Sequence, residues 1–422
     1  MIAAPTRKGW CPTLLSPMQS GDGWLARVKP TAGRVSAAAA RIIAEAASRH
    51  GNGHIDLTSR SNFQIRGLTP RSAELLAEII IGHGLASANP SLESVRNVMA
   101  SPLGPDDPSA KLDSHAVARD VETILDEERA LEALPSKFGV LVDAGGVLPL
   151  ADVTADIMVR AHGGGLAVQL DGGTLAAQAS PSTLAGTVRA LALAFLRLSA
   201  GRREPPRGMR ALIMAVGEER IFRSAGLAPV PMLSAPSSRA PSPIGFVPYP
   251  GQTNGAFGVG LPFGRIEAEA LSNLAELCER FGDGSLRTTP WRTLLLPGIG
   301  AADVEELVDD VRALVLIAES ADPRLHIFAC VGAPSCQSAS VDARADAGRL
   351  AATIAKTPAL TIHISGCVKS CAHRGPTALT LVGRDGRYDL VRNGGAGDKP
   401  SLTGLPIDQA IALIGSVKGQ RP

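Results

Sequence analysis

The sequence predicts an α+β protein in which one arrangement of strands and helices occurs twice. Residues 33–68 align with residues 264–299 without a gap, and residues 156–173 align with residues 378–395. Both segments of the second match, 156–173 and 378–395, read as a strand, a glycine turn, a strand and Gly-Gly. Because the two matches occur in the same order along the chain, they indicate an internal duplication rather than a chance likeness between two alanine-rich helices.

Each copy is expected to open with a strand, a helix and two further strands. The helix is predicted over residues 36–50, and Gly51 is expected to end it in a left-handed conformation. Alternation then places four apolar side chains on a buried face: Ile55, Leu57, Phe63 and Ile65. If the strand is continuous, the other face carries Asp56, Thr58, Arg60, Asn62, Gln64 and Arg66.

The second copy lacks this polar face. Leu295 and Pro297 stand where the first copy has Gln64 and Arg66. We therefore expect the first copy to carry a site and the second to act as scaffold. Residues 226–251, rich in proline and serine, separate the copies and are predicted to form an extended linker.

Length, charge and hydropathy argue against several classes of protein. The 422 residues are too many for one ordinary domain, and the net charge of +2 does not favour nucleic-acid binding driven by bulk charge. The sequence shows neither an apolar signal-peptide core nor a charge-free run of about 18 apolar residues that would span a membrane. We expect a cytoplasmic protein with no nucleic-acid or membrane partner. In that setting the 6 cysteines suggest metal binding or catalysis.

Four of the cysteines form two closely spaced pairs. Cys330 and Cys336 are separated as Cys-x5-Cys, and Cys367 and Cys371 as Cys-x3-Cys. Each pair follows a strand-like run, so both are expected in loops at strand ends, where they can converge. Four such thiolates can hold a 4Fe-4S cluster. A structural zinc site is the alternative, although zinc usually takes tighter Cys-x2-Cys pairs.

These motifs resemble those of the sirohaem sulfite and nitrite reductases. In those enzymes the last cysteine of the same pattern bridges the cluster to the haem iron. The segment 58–64 resembles their macrocycle-contacting Thr-x-Arg-Gln-x-Phe-Gln, and residues 96–98 resemble their substrate-binding Arg-Asn-Val. Residues 27–29 are similar to their Arg-x-Arg.

The resemblance implies a fold of two ferredoxin-like half-domains plus two α/β nitrite/sulfite reductase-type domains. The expected half-domains are residues 1–85 and 252–318. The expected α/β domains are residues 86–225 and 319–422, the second of which would hold the cluster.

Two departures separate this chain from the reductases. Lys137, Phe138 and Gly139 stand where the reductases have Lys-x-Lys, and Lys29 replaces an arginine. The segments 8–30 and 365–376 instead resemble the precorrin-3B synthase branch of the superfamily.

Membership of that branch implies a mono-oxygenase of aerobic cobalamin biosynthesis. The enzyme would use O2 to hydroxylate C20 of precorrin-3A, after which the ring A acetate closes a γ-lactone. The chain has no Gly-x-Gly-x-x-Gly between a strand and a helix, so a separate reductase would supply the electrons. The alternatives are a sirohaem-dependent nitrite or sulfite reductase and a non-enzymatic zinc or tetrapyrrole-binding protein.

The same resemblance assigns roles to residues of this chain. The 4Fe-4S cluster would be held by Cys330, Cys336, Cys367 and Cys371. The macrocycle, either substrate or sirohaem, would be bound by Arg27, Lys29, Arg60, Asn62, Gln64, Arg66, Arg96 and Lys137. A mononuclear non-haem iron for O2 would need two histidines and a carboxylate, for which the candidates are His54, Asp56 and His373, with His363 as a further one.

Overall fold

The first half-domain in the computed structural model contributes four strands to a five-stranded sheet, which two helices cover. The model describes residues 10–162, 165–232, 243–354 and 360–416. The elements of this half-domain are β1 (Met18–Ser20), β2 (Gly23–Val28), β3 (Arg34–Ser36), α1 (Ala37–His50), β4 (His54–Leu57), β5 (Phe63–Leu68) and α2 (Pro70–Gly82). Local capping defines both helix starts: Ser36 Oγ accepts the N–H of Ala39, and Thr69 and Ser72 form a capping box.

The first α/β domain follows with a six-stranded mixed sheet in the order β11-β10-β9-β8-β7-β6. Its elements are α3 (Pro90–Val95), β6 (Val98–Ala100), α4 (Ser114–Glu127), β7 (Val140–Asp143), β8 (Ile157–His162), β9 (Gly165–Leu170), β10 (Leu175–Ala179), α5 (Leu184–Ser199), α6 (Met209–Val216), α7 (Glu218–Ser224) and β11 (Val230–Pro231).

The second half of the chain repeats this plan. Its half-domain contains β12 (Gly245–Pro248), β13 (Asn254–Gly260), β14 (Arg265–Glu267), α8 (Ala268–Phe281), β15 (Ser285–Thr288), β16 (Thr293–Gly300) and α9 (Val304–Ala313). The second α/β domain contains β17 (Ile327–Ala329), α10 (Ala343–Ile354), β18 (Ile362–Ser365), β19 (Thr377–Arg384), β20 (Arg387–Gly394), β21 (Leu402–Leu405) and α11 (Ile407–Ser416). The duplicated α+β fold predicted from the sequence is confirmed.

The two half-domains exchange edge strands. The first sheet has the order β1-β2-β5-β4-β14, and the second has the order β12-β13-β16-β15-β3. Ile266 of β14 lies opposite Ile55, and Val35 of β3 lies opposite Leu286. Each sheet is therefore completed by a strand from the other copy, and α1 and α8 pack together above one shared apolar core.

The predicted buried face is present, but it lies on a hairpin and not on a continuous strand. β4 and β5 are antiparallel, with Ile55 opposite Ile65 and Leu57 opposite Phe63, and all four side chains are buried. Residues 58–62 form the connecting turn, so Thr58 and Arg60 are turn residues.

The predicted left-handed cap at Gly51 is wrong, since its φ is −110°. The glycine is required there by a close approach instead. A Cβ at this position would lie 2.4 Å from the carbonyl oxygen of Arg66 and 2.9 Å from that of Ala47.

The proline-rich segment 226–251 is only partly a linker. Residues 230–231 form β11 and residues 245–248 form β12, so both ends of the segment belong to sheets. Residues 233–242, which fall within the predicted linker, lie outside the described residues. In the described ranges, no helix is both long and apolar enough to cross a membrane.

The apolar core that the two half-domains share leads to a prediction about stability. Leu274 of α8 is fully buried in it, and replacement by alanine should lower the free energy of unfolding by about 2–5 kcal/mol, because a cavity would remain. Urea unfolding measures this value. The control is Met214→Ala on α6, where the side chain is 86% exposed and the expected change is within about 0.5 kcal/mol. Equal effects of the two variants would contradict the packing of α8.

Candidate functional site

The two cysteine pairs meet at one edge of the second α/β sheet. β17 and β18 are parallel neighbours, with Ala329 opposite Ile364. Cys330 directly follows β17, and Cys367 follows β18 by two residues. Because the carboxyl ends of parallel strands lie at the same edge, the loops that carry Cys336 and Cys371 extend from the same side of the sheet. All four of these cysteines are free thiols.

The four thiols are close enough to influence one another electrostatically. Burial raises the pKa of the Cys330 thiol, the N–H groups of Gly366 and Gly332 oppose this, and the neighbouring Cys336 and Cys367 raise it further. Burial also raises the pKa of Cys371, and each of the other three thiols adds to the effect. Raised pKa values favour the protonated thiols, and bound iron would reverse this because it deprotonates the thiols that coordinate it.

The loops fit a multi-iron cluster by donor chemistry. Gly366 donates its N–H to Cys330 Sγ at 3.0 Å, the kind of contact that tunes iron–sulfur clusters. A Cβ on Gly366 would lie 2.6 Å from the Cβ of Ala339, so only glycine fits there. Within the described ranges, no three histidine, cysteine or acidic side chains surround a single metal position. A cubane does not require this, because each of its four thiolates binds a different iron.

A cavity of about 590 Å³ lies beside the cysteine loops. The first half-domain, the first α/β domain, the turn between β15 and β16, and the last cysteine loop all contribute to its wall. The lining residues are Ser59, Arg60, Asn62, Asn97, Val98, Met99, Lys137, Gly139, Val153, Thr154, Ala155, Asp156, Asp171, Arg292, Cys371, Ala372, His373 and Arg374. Cys371 belongs both to this wall and to the cysteine set.

Cations dominate the free charge of the cavity. Arg60, Lys137, Arg292 and Arg374 line it. Arg60 donates through Nη2 to the carbonyl of Lys137 at 3.0 Å, but its Nη1 is buried without a partner. A buried, unpaired guanidinium nitrogen is costly and is satisfied when an anionic ligand binds.

The two carboxylates of the cavity are already occupied. Asp156 accepts the N–H groups of Gly139 and Met209, and Asp171 forms an ion pair with Arg210 at 2.7 Å. Burial raises the pKa of Asp156, and these two backbone donors oppose the change. The two carboxylates are therefore paired with groups of the protein, while the cations remain available to a ligand.

Of the predicted macrocycle-binding residues, Arg60, Asn62 and Lys137 are brought together in this wall. Arg27 instead points its Nε towards Gln64 Oε1 at 3.4 Å, and neither residue lines the cavity.

Three other predicted macrocycle cations are held by protein partners. Lys29 donates to the carbonyl of Glu93 and to Asn97 Oδ1. Burial lowers the pKa of Lys29 to about 8, although Glu93 opposes this. Arg96 pairs with Glu93 and Glu122, and Arg66 pairs with Asp22. None of these three side chains lines the cavity.

The three predicted iron-binding residues do not converge. His373 lines the cavity, stacks on Phe328 and lies 6.1 Å, ring to ring, from His363. His363 is completely buried, and neither of its ring nitrogens has a hydrogen-bond partner in the described structure. His54 instead contacts Glu267 at 2.8 Å, away from the lining residues.

Asp56 is enclosed by three arginines, which argues against a role as an iron ligand. Its carboxylate lies 2.8 Å from Arg265, 2.9 Å from Arg344 and 3.7 Å from Arg66. Burial would raise the pKa of Asp56, but these guanidinium groups outweigh it and hold the pKa below its usual value. The carboxylate thus joins β4 to β14 and α10.

Sequence reasoning did not identify Arg292 and Arg374 as cavity residues. Arg292 donates to the carbonyl of Ala372 at 3.0 Å, next to Cys371, and burial lowers its pKa. The alignment of the two copies contained a signal for it, because Arg292 is the counterpart of Ser61 in the turn 58–62. Both residues have positive φ, 61° and 56°.

Comparison with known proteins places this architecture in a family. The model of the nitrite/sulfite reductase ferredoxin-like half domain matches residues 16–81 and 249–314. A precorrin-3B synthase from Sinorhizobium sp is 34% identical over 419 residues, covering 94% of this chain and 85% of that protein. The chain belongs to the precorrin-3B synthase family.

More distant relatives place the precorrin-3B synthase family within the nitrite and sulfite reductase superfamily. The ferredoxin–nitrite reductase of Synechococcus elongatus is 25% identical over 417 residues, covering 91% of this chain and 80% of that protein. The NirA protein of Mycobacterium tuberculosis has the same fold, with a TM-score of 0.76 and 20% identity, covering 94% of this chain and 82% of that chain.

The buried ion-pair network of Asp56 with Arg265, Arg344 and Arg66 leads to a second prediction about stability. Asp56→Asn should lower the free energy of unfolding by about 3–5 kcal/mol, because Arg265 and Arg344 would lose their buried counter-charge. Since the folded-state pKa is depressed, this contribution is present above the unfolded value of about 3.9 and is lost as pH falls below it. Denaturant unfolding at neutral and acidic pH measures both effects.

The matched control is Asp309→Asn, whose exposed carboxylate pairs with Arg312 on α9. It should change stability by less than about 0.5 kcal/mol. A neutral-pH effect of Asp56→Asn as small as that of the control would disprove the buried network.

Proposed function

We propose that the chain is a precorrin-3B synthase-type mono-oxygenase. Its substrate would be precorrin-3A, which is hydroxylated at C20 with one atom of O2 and then closed to the γ-lactone. The second oxygen atom would leave as water, with two electrons and two protons supplied. The observation that carries this proposal is the cationic cavity that shares Cys371 with the cysteine loops.

The cavity suits an anionic macrocycle. Its volume lies within the usual range of about 300–1,000 Å³ for small-molecule sites. Guanidinium groups form paired hydrogen bonds with carboxylates, and Arg60, Arg292 and Arg374 would hold the peripheral carboxylates of the substrate. Lys137 would add a point charge, and Asn62 would add amide hydrogen bonds.

The proposed 4Fe-4S cluster would be held by Cys330, Cys336, Cys367 and Cys371. When bound, it supplies single electrons to the site. Electrons would reach it from a separate ferredoxin-type donor or reductase at the surface. Cys371 is exposed, and Val368 in the same loop is 45% exposed, so the loop is open to such a partner.

A non-haem iron for O2 would bind nearest to His373. This histidine is the one member of the predicted iron-binding set among the described lining residues. The neighbouring His363, with both ring nitrogens unpaired, is the natural second donor to test.

The second candidate is a sirohaem-dependent nitrite or sulfite reductase. It is favoured by the shared fold and by the position of Cys371 in the cavity wall, where it could reach a bound haem. Against it, Gly139 lines the cavity where the reductases have a second lysine, which lowers the positive charge available to a small oxyanion.

Two experiments test the proposal. The first is anaerobic purification followed by iron, sulfide and haem analysis. The second is incubation of the protein with precorrin-3A, O2 and an artificial reductant. Sulfide at the level of a 4Fe-4S cluster, no sirohaem, and a product heavier by one oxygen atom are expected. Stoichiometric sirohaem with unchanged precorrin-3A would favour the reductase. Zinc without sulfide would overturn both enzyme assignments.

Cys371→Ala should lose the cluster, because one of its four thiolates would be missing. Iron and acid-labile sulfide per chain measure this loss. Cys11→Ser is the control, since Cys11 lies outside the four-cysteine set, and it should keep wild-type iron and sulfide. Full iron and sulfide in Cys371→Ala would remove Cys371 from the ligand set.

Arg60→Ala should weaken tetrapyrrole binding by about 10-fold or more while leaving the cluster intact, because a charged hydrogen bond contributes about 1.5–3 kcal/mol. Fluorescence or absorbance titration with precorrin-3A measures the affinity. Arg71→Ala, which removes an exposed cation on α2, is the control. Unchanged affinity in Arg60→Ala would exclude this residue from the site.

A further inference from the structure

The loop between Cys330 and Cys336 is held by the first half-domain, far away in sequence. The carbonyl oxygen of Ser335 accepts three hydrogen bonds from that half-domain. The donors are Ser20 Oγ at 2.7 Å, the N–H of Gly21 at 3.1 Å and Arg66 Nη2 at 3.0 Å. This carbonyl belongs to the peptide group that joins Ser335 to Cys336.

Packing leaves no space between the two segments. A Cβ on Gly21 would lie 2.3 Å from the carbonyl oxygen of Pro334 and 2.9 Å from the amide nitrogen of Cys336. Only glycine allows the turn between β1 and β2 to approach the cysteine loop this closely.

Arg66 is itself fixed in place. It is 2% exposed, and its Nε and Nη2 form a two-pronged contact with the carboxylate of Asp22 at 2.9 and 2.7 Å. Nη2 also donates to Ser20 Oγ. The guanidinium plane is therefore oriented by Asp22 before it reaches Ser335, an arrangement that a lysine could not reproduce.

We propose that Arg66 and Gly21 are positioning residues for Cys336, so that the first half-domain organises the cluster-binding loop of the second α/β domain. This rests on the proposed function only in that the four cysteines bind a cluster. It goes beyond the macrocycle role expected for Arg66 from the sequence, since Arg66 does not line the cavity.

The physical consequence follows from the planarity of the peptide bond. Fixing the carbonyl of Ser335 also fixes the direction of the Cys336 N–H and the position of the Cys336 Cα, because all of these atoms lie in one plane. A loop without these three donors would sample other orientations, and assembly of a four-thiolate cluster would require it to be ordered first. The buried cation also favours the more negative, reduced form of a nearby cluster, so its removal should shift the midpoint potential to a more negative value.

The test compares Arg66→Met and Arg66→Lys with Arg287→Met. Arg287 of the second half-domain is the matched control because it is equally buried, with 1% exposure. It is paired with Asp283 and with Asp106 of the first α/β domain. Both Met variants remove a buried, paired arginine, so a general loss of stability should affect them alike. The measurements are iron and sulfide per chain after anaerobic reconstitution, the rate of cluster loss in air, the reduced-state EPR spectrum and the midpoint potential.

Arg66→Met is expected to lose the cluster several-fold faster than wild type and Arg287→Met, with an altered EPR spectrum and a more negative potential. Arg66→Lys should recover part of the cluster content. Ser20→Ala, which deletes one of the three donors without removing a charge, should show a smaller change in the same direction. Hydrogen exchange in the peptide that contains Gly21 should increase in the cluster-free Arg66→Met protein, because its N–H bonds to Ser335.

Wild-type cluster retention, EPR spectrum and potential in both Arg66→Met and Ser20→Ala would overturn the proposal. So would equal losses in Arg66→Met and Arg287→Met. A wild-type protein that holds the cluster but leaves precorrin-3A unchanged would refute the proposed activity and leave this inference standing. A wild-type protein that takes up no cluster would refute both.

Discussion

The edge strands that the two half-domains exchange constrain the rest of the molecule. β4 would present an open hydrogen-bonding edge without β14, and β15 would do so without β3. β14 pairs with β4 and β3 pairs with β15 in equivalent registers. This pairing places α1 against α8 and brings the turns 58–62 and 289–292 to the same region. Arg60 from one turn and Arg292 from the other then line a single cavity. The site therefore depends on the contacts between the two copies as well as on the fold within each copy.

The copies use the same backbone position for opposite charges. Asp56 and Arg287 are counterparts, and each is buried at the edge where a strand arrives from the other half. Arg344 of the second α/β domain neutralises Asp56, while Asp106 of the first α/β domain neutralises Arg287. Each half-domain is thus joined to a different α/β domain by a buried ion pair. Leu295, the counterpart of Gln64, packs against Leu103 and Leu148 of the first α/β domain.

Most of the fold could be predicted from the sequence because its determinants are local or repeated. Alternation identified the buried side chains of β4 and β5, and the spacing of cysteines after two strands predicted their common edge. The roles of the charged residues could not be derived in the same way. Whether Arg66, Arg96 or Lys29 contacts a ligand depends on carboxylates and carbonyls that reach it from other parts of the fold. A short motif identifies the cation, but it does not identify the partner.

The exchanged strands describe a symmetric dimer contained in one polypeptide. A chain with a single copy would have to find its missing edge strand in a second molecule, with Ile55 and Val35 at a two-fold interface. Joining the copies turns that association into an intramolecular step at a high effective concentration. The completed sheets are then independent of how dilute the protein is. Once joined, the two halves were also free to diverge, so that one could keep polar side chains where the other became apolar.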